Sequence, residues 1–201
     1  DSIICEGSLF NGVSASDPSG GDGVAYTYLW QESLDNSTWS DAYGTNVNPT
    51  YVPDTSRFAI EEEIYYRRRV LSGPYDVCLD YSSPILMTRY HKIENNTIAA
   101  DDVICAGSDP VALTGSSPLA GSGSYTYIWQ DSTSSGSWSN VGTASAFDPA
   151  PLTDSTWYRR IVNSSVCADT SSLVVINVHA TIENNVSRFI SGAVDTTICY
   201  G

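Results

Sequence analysis

Cysteine is the residue type in this chain with the widest chemical repertoire. A thiolate can attack a carbonyl, bind a zinc ion or form a disulfide bond. The histidines and cysteines near a cysteine in sequence help to indicate which of these it does. The 201-residue sequence has five cysteines and two histidines, and neither histidine has a cysteine at ligand spacing. The pattern therefore favours disulfide bonds over a zinc site or a catalytic thiol.

The cysteines belong to a pattern that occurs twice and begins a third time. Several short motifs return in the same order, separated by segments of varying length, as expected when strands are kept and loops differ. The matched motifs are Ile-Cys-x-Gly at 4–7, 104–107 and 198–201, Tyr-Thr-Tyr-x-Trp-Gln at 26–31 and 125–130, Tyr-Arg-Arg at 66–68 and 158–160, and Ile-Glu-Asn-Asn at 93–96 and 182–185. The sequence therefore predicts a first repeat at 1–92, a second at 93–180, and a linker with the start of a third at 181–201.

The repeats suggest how the cysteines pair. Cys5 and Cys78 lie in the first repeat, and Cys105 and Cys167 lie in the second. We predict one disulfide within each repeat, Cys5 with Cys78 and Cys105 with Cys167. Cys199 is then left over, and its partner is expected in the remainder of the third repeat. Such bonds indicate an oxidising compartment outside the cytoplasm.

Each repeat reads as a series of short β-strands. Tyr125, Tyr127 and Trp129 alternate with Thr126 and Ile128, as in a strand with one buried face. Glycine-rich turns precede these strands, and about seven strands fit into roughly ninety residues with the order Cys, Trp, Cys. The predicted fold class is all-β, with tandem immunoglobulin-like β-sandwich domains that each contain one disulfide.

The same motifs carry a family resemblance. Ile-Cys-x-Gly, Tyr-Thr-Tyr-x-Trp-Gln, Tyr-Arg-Arg and Ile-x-Asn-Asn together resemble the immunoglobulin-like repeats of giant cell-surface and gliding-motility adhesins of Bacteroidota. The resemblance implies a secreted stalk or filament segment, exported by type IX secretion and located at the cell surface. Its expected partners are neighbouring repeats of the same chain, with a surface polysaccharide or another adhesive ligand as a further option.

Charge and motif content argue against other classes. The chain has 23 acidic and 9 basic residues, a net charge of -14, which disfavours nucleic acids and anionic membranes. It has no apolar run long enough to cross a bilayer, so no membrane insertion is expected. His91 and His179 occupy unmatched positions, and no Gly-x-Ser-x-Gly motif occurs. We predict no catalytic residues and no enzymatic activity.

Two tryptophans offer an alternative function. Trp39 and Trp138 each follow the buried-strand tryptophan by nine residues. If exposed, their rings could stack on sugars, so the alternative is a carbohydrate-binding module with Trp39 and Trp138 as glycan contacts. The simpler interpretation is that they cover the edge of the sandwich.

Two further sets of side chains could bind ions. Oxygen ligands for Ca²⁺ gather near the linker, although no Asp-x-Asp-x-Asp-Gly loop is present, and otherwise no cofactor is expected. The weak calcium candidates are Glu94, Asn95, Asn96, Asp101 and Asp102. Arg68 and Arg160 could form an anion site. If they instead point inward, each needs Asp54, Asp154 or backbone carbonyls as partners, because an unpaired buried charge is costly.

Overall fold

The computed structural model describes residues 2–23, 25–58, 62–98, 102–134 and 136–187. The described chain is built from β-strands, with two single-turn 3₁₀ helices at Thr55–Arg57 and Pro74–Asp76. The predicted all-β fold class is confirmed. Among the described residues, no helix is long and apolar enough to cross a membrane.

The first half of the chain forms one main sheet and a small second layer. The main sheet has the order β1-β8-β6-β3-β4, with β7 also paired to β6, and the small layer pairs β2 with β5. The strands are β1 (Ile3–Cys5), β2 (Val13–Ser14), β3 (Tyr26–Ser33), β4 (Ser40–Asp41), β5 (Thr50–Tyr51), β6 (Glu62–Ser72), β7 (Cys78–Tyr81) and β8 (Ile85–Tyr90).

The second half repeats this topology. Its sheet has the order β9-β14-β12-β10-β11, with β13 also paired to β12, and an isolated bridge between Leu113 and Phe147 stands where β2 pairs with β5 in the first half. The strands are β9 (Asp102–Cys105), β10 (Thr126–Ser132), β11 (Ser139–Gly142), β12 (Thr156–Ser164), β13 (Cys167–Thr170) and β14 (Val174–His179). We call the two halves unit 1 and unit 2.

The cores form where the sequence alternation predicts. In β12 every second residue from Thr156 to Ser164 is buried, which places Tyr158 and Val162 on the inward face. Trp30 and Trp129 are fully buried at the centres of the two cores. Each donates its indole N–H to a backbone carbonyl, as a buried tryptophan requires.

The long central strand of each unit decides where the cysteines lie. The first half of β6 pairs with β8 and the second half pairs with β7. Cys5 pairs in register with Tyr90 at one end of this arrangement, whereas Cys78 pairs with Ser72 at the other end. Unit 2 has the same layout around β12. The two cysteines of one unit therefore lie at opposite ends of its sheet.

Candidate functional site

A disulfide bond joins the two units. Cys5 at the end of β1 is bonded to Cys167 at the start of β13, with 5.2 Å between their Cα atoms and a sequence separation of 162. Cys78 and Cys105 are free, exposed thiols. The predicted pairs Cys5–Cys78 and Cys105–Cys167 are therefore wrong, and so is the prediction of one disulfide within each domain. Cys199 lies outside the described residues.

Strand geometry explains why the two cysteines of one unit are not bonded to each other. A disulfide needs Cα atoms within about 7 Å of each other. Cys5 and Cys78 flank opposite ends of β6, an 11-residue strand that spans roughly 30 Å at about 3.3 Å per residue. Cys105 and Cys167 are separated in the same way along β12. The observed bond joins Cys5, at the end of the first sheet that leads into the linker, to Cys167, at the end of the second sheet that receives the linker. We call these the outgoing end and the incoming end of a unit.

A small apolar core surrounds this bond. Ile93, Val162 and Cys167 are buried there, at 5%, 0% and 1% exposure. Further partly buried residues pack against them from both units: Cys5, Tyr90, Tyr125 and Tyr127. The bond is thus shielded by residues of unit 1, the linker and unit 2, and we call this region the joint.

The linker forms part of the joint through backbone pairing. Residues 93–98, which we call the linker segment, run beside residues 115–119 of unit 2. Glu94 and Leu119 exchange two backbone hydrogen bonds, with N to O distances of 3.0 and 2.9 Å, and Ile98 forms a bridge with Gly115. Because this pairing resembles that of an added edge strand, the linker segment is fixed on unit 2.

Asn96 fastens the linker segment to a buried arginine. Arg160 is 1% exposed, and its Nε donates to Oδ1 of Asn96 over 3.0 Å. The amide of Asn96 donates in turn to the carbonyl of Arg160 and to the carboxylate of Asp169. The remaining guanidinium nitrogens donate to the carbonyls of Ser116 and Ser145. Burial lowers the pKa of Arg160 from its ordinary value.

These contacts decide between the arginine partners predicted from sequence. The guanidinium of Arg68 likewise donates to carbonyls, those of Pro49, Ser16 and Ala15. Backbone carbonyls therefore accept from the terminal nitrogens of both arginines, as one alternative predicted. Arg160 has the side chain of Asn96 as a further partner, and both arginines are core residues. Asp54 instead caps a 3₁₀ helix through the backbone N–H of Ser56, which lowers its pKa.

Polar contacts close the rim of the joint. The Nδ1 atom of His91 lies 2.9 Å from Oε2 of Glu6, which also accepts the backbone N–H of Lys92 over 3.3 Å. The carbonyl of His91 accepts from the N–H of Gly121 over 3.1 Å. Glu6 and His91 carry no sequence signal for a joint, because they follow two different strands 85 positions apart and neither residue recurs in the second copy of the pattern.

Gly121 shows how closely the joint is packed. Its φ is +64°, and a Cβ atom there would lie 2.5 Å from Oγ of Ser164 and 3.4 Å from Cγ1 of Ile93. Glycine is the residue that adopts this backbone conformation and leaves room for both neighbours. The repeated glycine-rich turns were the sequence signal for this position.

The two tryptophans proposed as glycan contacts lie against arginines. The guanidinium carbons of Arg67 and Arg159 stand 4.1 Å from the ring centroids of Trp39 and Trp138, respectively. Each arginine also bonds a strand glutamine, and Tyr81 covers Arg67 from another side. Both rings are half-buried. One face of each ring is therefore used within the fold.

The calcium candidates are partly committed to protein contacts. Asn95 donates its side-chain amide to the carbonyl of Ser117 over 2.8 Å, Asn96 bonds Arg160, and Asp102 accepts the N–H of Val103. Asp101 lies outside the described residues, and the described ones contain no group of three or more histidine, cysteine, aspartate or glutamate side chains suited to a metal. Calcium binding at the linker stays a prediction.

Both halves of the chain match one known protein family. The family model described as "Domain of unknown function (DUF8696)" matches residues 1–90 and again residues 94–180. The chain therefore belongs to this family and contains two copies of its domain. A search of curated proteins finds no match.

Solved structures of a chicken and an amphioxus protein show a distant likeness to this chain. The FN1–FN3 domains of chicken CNTN1 are 10% identical, with 75% of this chain and 55% of that chain covered and a TM-score of 0.41. The amphioxus IgVJ-C2 molecule is also 10% identical, with 87% and 99% covered and a TM-score of 0.38. The chain thus spans about half of the CNTN1 fragment. The fold itself is defined by the strand pairing within each sheet.

Proposed function

We propose that this chain is a non-catalytic stalk segment of an extracellular surface protein, in which consecutive β units are locked together by disulfide bonds. The observation that carries the proposal is the Cys5–Cys167 bond between two units of the same kind. A bond within a unit would stabilise that unit alone, whereas this one fixes the position of each unit on its neighbour.

Several features of the joint support a rigid spacer. The linker segment is paired along unit 2, its Asn96 is bonded to a buried arginine, and an apolar core encloses the disulfide. Flexible linkers are usually exposed and unpaired. A joint with this much ordered contact converts repeated units into an extended rod, whose length and stiffness are then its use.

Compartment and origin extend the proposal. A disulfide that joins distant parts of a chain indicates an oxidising environment, which favours secretion. The net charge of -14 helps to keep a long extracellular chain soluble. Together with the sequence resemblance to Bacteroidota adhesin repeats, this supports placement at the bacterial cell surface, with type IX export and a role related to gliding.

Small-angle X-ray scattering tests the proposal. The oxidised protein should give a fixed maximum dimension, with a profile that one arrangement of the two units fits. A Cys5→Ser variant should keep both units folded and give a broader distribution of dimensions. The Cys78→Ser variant is the matched control, and its monomers should scatter like monomers of the parent separated by size exclusion. Equal profiles for parent and Cys5→Ser would contradict the role of the bond in stiffness.

A further inference from the structure

Unit 1 has an open groove at the place where unit 2 holds the linker segment. The groove has a volume of about 330 Å³ and lies beside Cys78 and Arg68. Its lining matches, position for position in the repeat, the residues of unit 2 that surround the linker segment. The equivalent pairs are Gly21 and Gly121, Tyr26 and Tyr125, Arg68 and Arg160, Val70 and Val162, Cys78 and Cys167, and Asp80 and Asp169.

A buried polar atom in this groove lacks the partner that its counterpart has. Arg68 is 4% exposed, and its terminal nitrogens bond carbonyls as those of Arg160 do. The Nε of Arg160 donates to Asn96, whereas the Nε of Arg68 has no hydrogen-bond partner among the described residues. Since a buried unsatisfied donor is costly, the groove is suited to an asparagine side chain at this point.

Cys78, at the mouth of the groove, also lacks the partner that its counterpart in unit 2 has. Cys167 is buried and bonded to Cys5, whereas its counterpart Cys78 is exposed and free. Each cysteine is the first residue of its strand, Cys167 of β13 and Cys78 of β7. Cys167 pairs in register with Ser164 and Cys78 pairs with Ser72, each serine being the last residue of the central strand. Unit 1 therefore presents the incoming half of a joint.

Unit 2 presents the outgoing half. Cys105 is exposed and free, and it pairs in register with His179 as Cys5 pairs with Tyr90. Residues 182–185 repeat the Ile-Glu-Asn-Asn motif and are exposed, with Ile182 at 89%. Asn184 has φ +56° and its counterpart Asn95 has φ +58°, so the outgoing segment already turns as the linker segment does.

We propose that the groove of unit 1 binds the Ile-Glu-Asn-Asn segment of a second copy of this chain, with Cys78 forming a disulfide to Cys105 of that copy. Asn185 of the second copy then accepts from the Nε of Arg68, and Ile182 packs on Val70. The inference rests on the proposed function and deepens it: every joint of the stalk has the same bond, from the outgoing cysteine of one repeat to the incoming cysteine of another.

The bond forms by exchange with a disulfide donor such as oxidised glutathione. The thiolate of Cys78 attacks the donor, forms a mixed disulfide and releases one glutathione thiolate. The thiolate of Cys105 then attacks the sulfur of Cys78 and releases the second. Two protein thiols are oxidised to one disulfide, one glutathione disulfide is reduced to two glutathiones, and the two thiol protons go to those products.

The experiment uses the purified 201-residue chain with Cys199→Ser, incubated with oxidised and reduced glutathione. Non-reducing gels should show dimers and longer ladders, and peptide mapping by mass spectrometry should find Cys78–Cys105 as the main bond between copies. Asn185→Ala should slow formation of that bond about tenfold, because Arg68 loses its acceptor. Glu183→Ala, a change at an exposed position of the same motif, is the matched control and should leave the rate unchanged.

The outcomes separate the two proposals. Symmetric Cys78–Cys78 and Cys105–Cys105 bonds in amounts equal to Cys78–Cys105, or an Asn185→Ala rate equal to that of the parent, would overturn the inference while an intact Cys5–Cys167 bond left the proposed function standing. Monomers alone at millimolar protein would overturn it as well. Absence of the Cys5–Cys167 peptide from the same map would count against the proposed function itself.

Discussion

Asn96 of the linker segment and Arg160 of the second sheet are joined by a hydrogen bond from Nε to Oδ1 over 3.0 Å. The arginine is buried and stands in β12 beneath residues 115–119, so a residue outside the sheets completes the hydrogen bonds of a core side chain. The linker is therefore a structural part of unit 2 as well as a connection to unit 1.

The first prediction concerns this pair. Asn96→Ala leaves the Nε of Arg160 buried without its acceptor and removes the bonds to Asp169. We expect a loss of about 1–3 kcal/mol in the free energy of unfolding. Urea denaturation followed by tryptophan fluorescence measures this change.

Asn185→Ala is the matched control for that substitution. It occupies the same place in the second Ile-Glu-Asn-Asn motif, where the side chain is exposed. Surface changes usually alter stability by less than about 0.5 kcal/mol. Equal losses for the two variants would show that the bond to Arg160 contributes nothing measurable.

The second prediction concerns the disulfide. Cys5→Ser should lower the melting temperature, because a cross-link that closes a 162-residue separation restricts the unfolded chain by about 5 kcal/mol on the chain-entropy model, if both units unfold together. A reducing agent should have the same effect on the parent protein. Calorimetry checks both.

The double variant Cys78→Ser with Cys105→Ser serves as the control for reduction. It keeps the bond of the joint and removes the two exposed thiols. Its melting temperature should match that of the parent and fall with reductant by the same amount. A stability loss in this variant alone would point to bonds within the units.

The third prediction concerns packing at the joint. Gly121→Ala places a methyl group against Ser164 and Ile93 in a backbone conformation that alanine rarely adopts. We expect a loss of about 1–3 kcal/mol. Gly12→Ala is the control, since its φ is not positive and the nearest atom lies 3.4 Å away. The denaturation midpoints of the two variants should therefore differ clearly.

The fourth prediction concerns alkaline pH. Burial raises the pKa of Tyr158 and of Tyr51 to about 12, with Asp131 and Glu32 adding to the effect, respectively. Because the folded pKa lies above the unfolded value of about 10, this contribution to stability is complete below pH 10 and is lost as the pH rises towards 12. The absorbance of tyrosinate should show that some tyrosines ionise only at the highest pH, together with unfolding of the protein. Tyr158→Phe should reduce the fraction of tyrosines that ionise in this late step.

The fifth prediction separates the stalk from a carbohydrate-binding module. Arg159 lies against the ring of Trp138, so the ring already has a partner within the fold. We expect no saturable binding on a glycan array and a modest loss of stability for Trp138→Ala. Saturable binding that disappears in Trp138→Ala would favour the carbohydrate alternative.

The sequence was sufficient for the repeats and for the strands, because alternating residues such as Tyr158 and Val162 mark a buried face directly. It also predicted backbone carbonyls as partners of Arg160, and two of them are observed, but it did not predict the side chain of Asn96. The cysteine pairing was out of reach for a physical reason. Repetition shows that Cys5 and Cys105 are equivalent, but it does not show at which end of the central strand each one lies.

The same limit applies to the joint. The Ile-Glu-Asn-Asn motif was visible as a linker, and nothing in its composition indicated that Asn96 reaches Arg160. That contact depends on the turn at Asn95, whose φ is +58°, and on the course of residues 115–119 beside it. Such contacts between distant segments follow from the path of the backbone in three dimensions.

The sulfur bridge between Cys5 and Cys167 also alters how tension passes through the molecule. A pull on the two ends enters at Cys5, crosses to Cys167 and bypasses the chain between them. The load then passes through β13 and β14, whereas β2 to β12 are spared. Unfolding of the segment between the two cysteines would therefore add no length to the chain under stress. An array of such bridges would limit how far the stalk can lengthen for as long as its disulfides stayed oxidised.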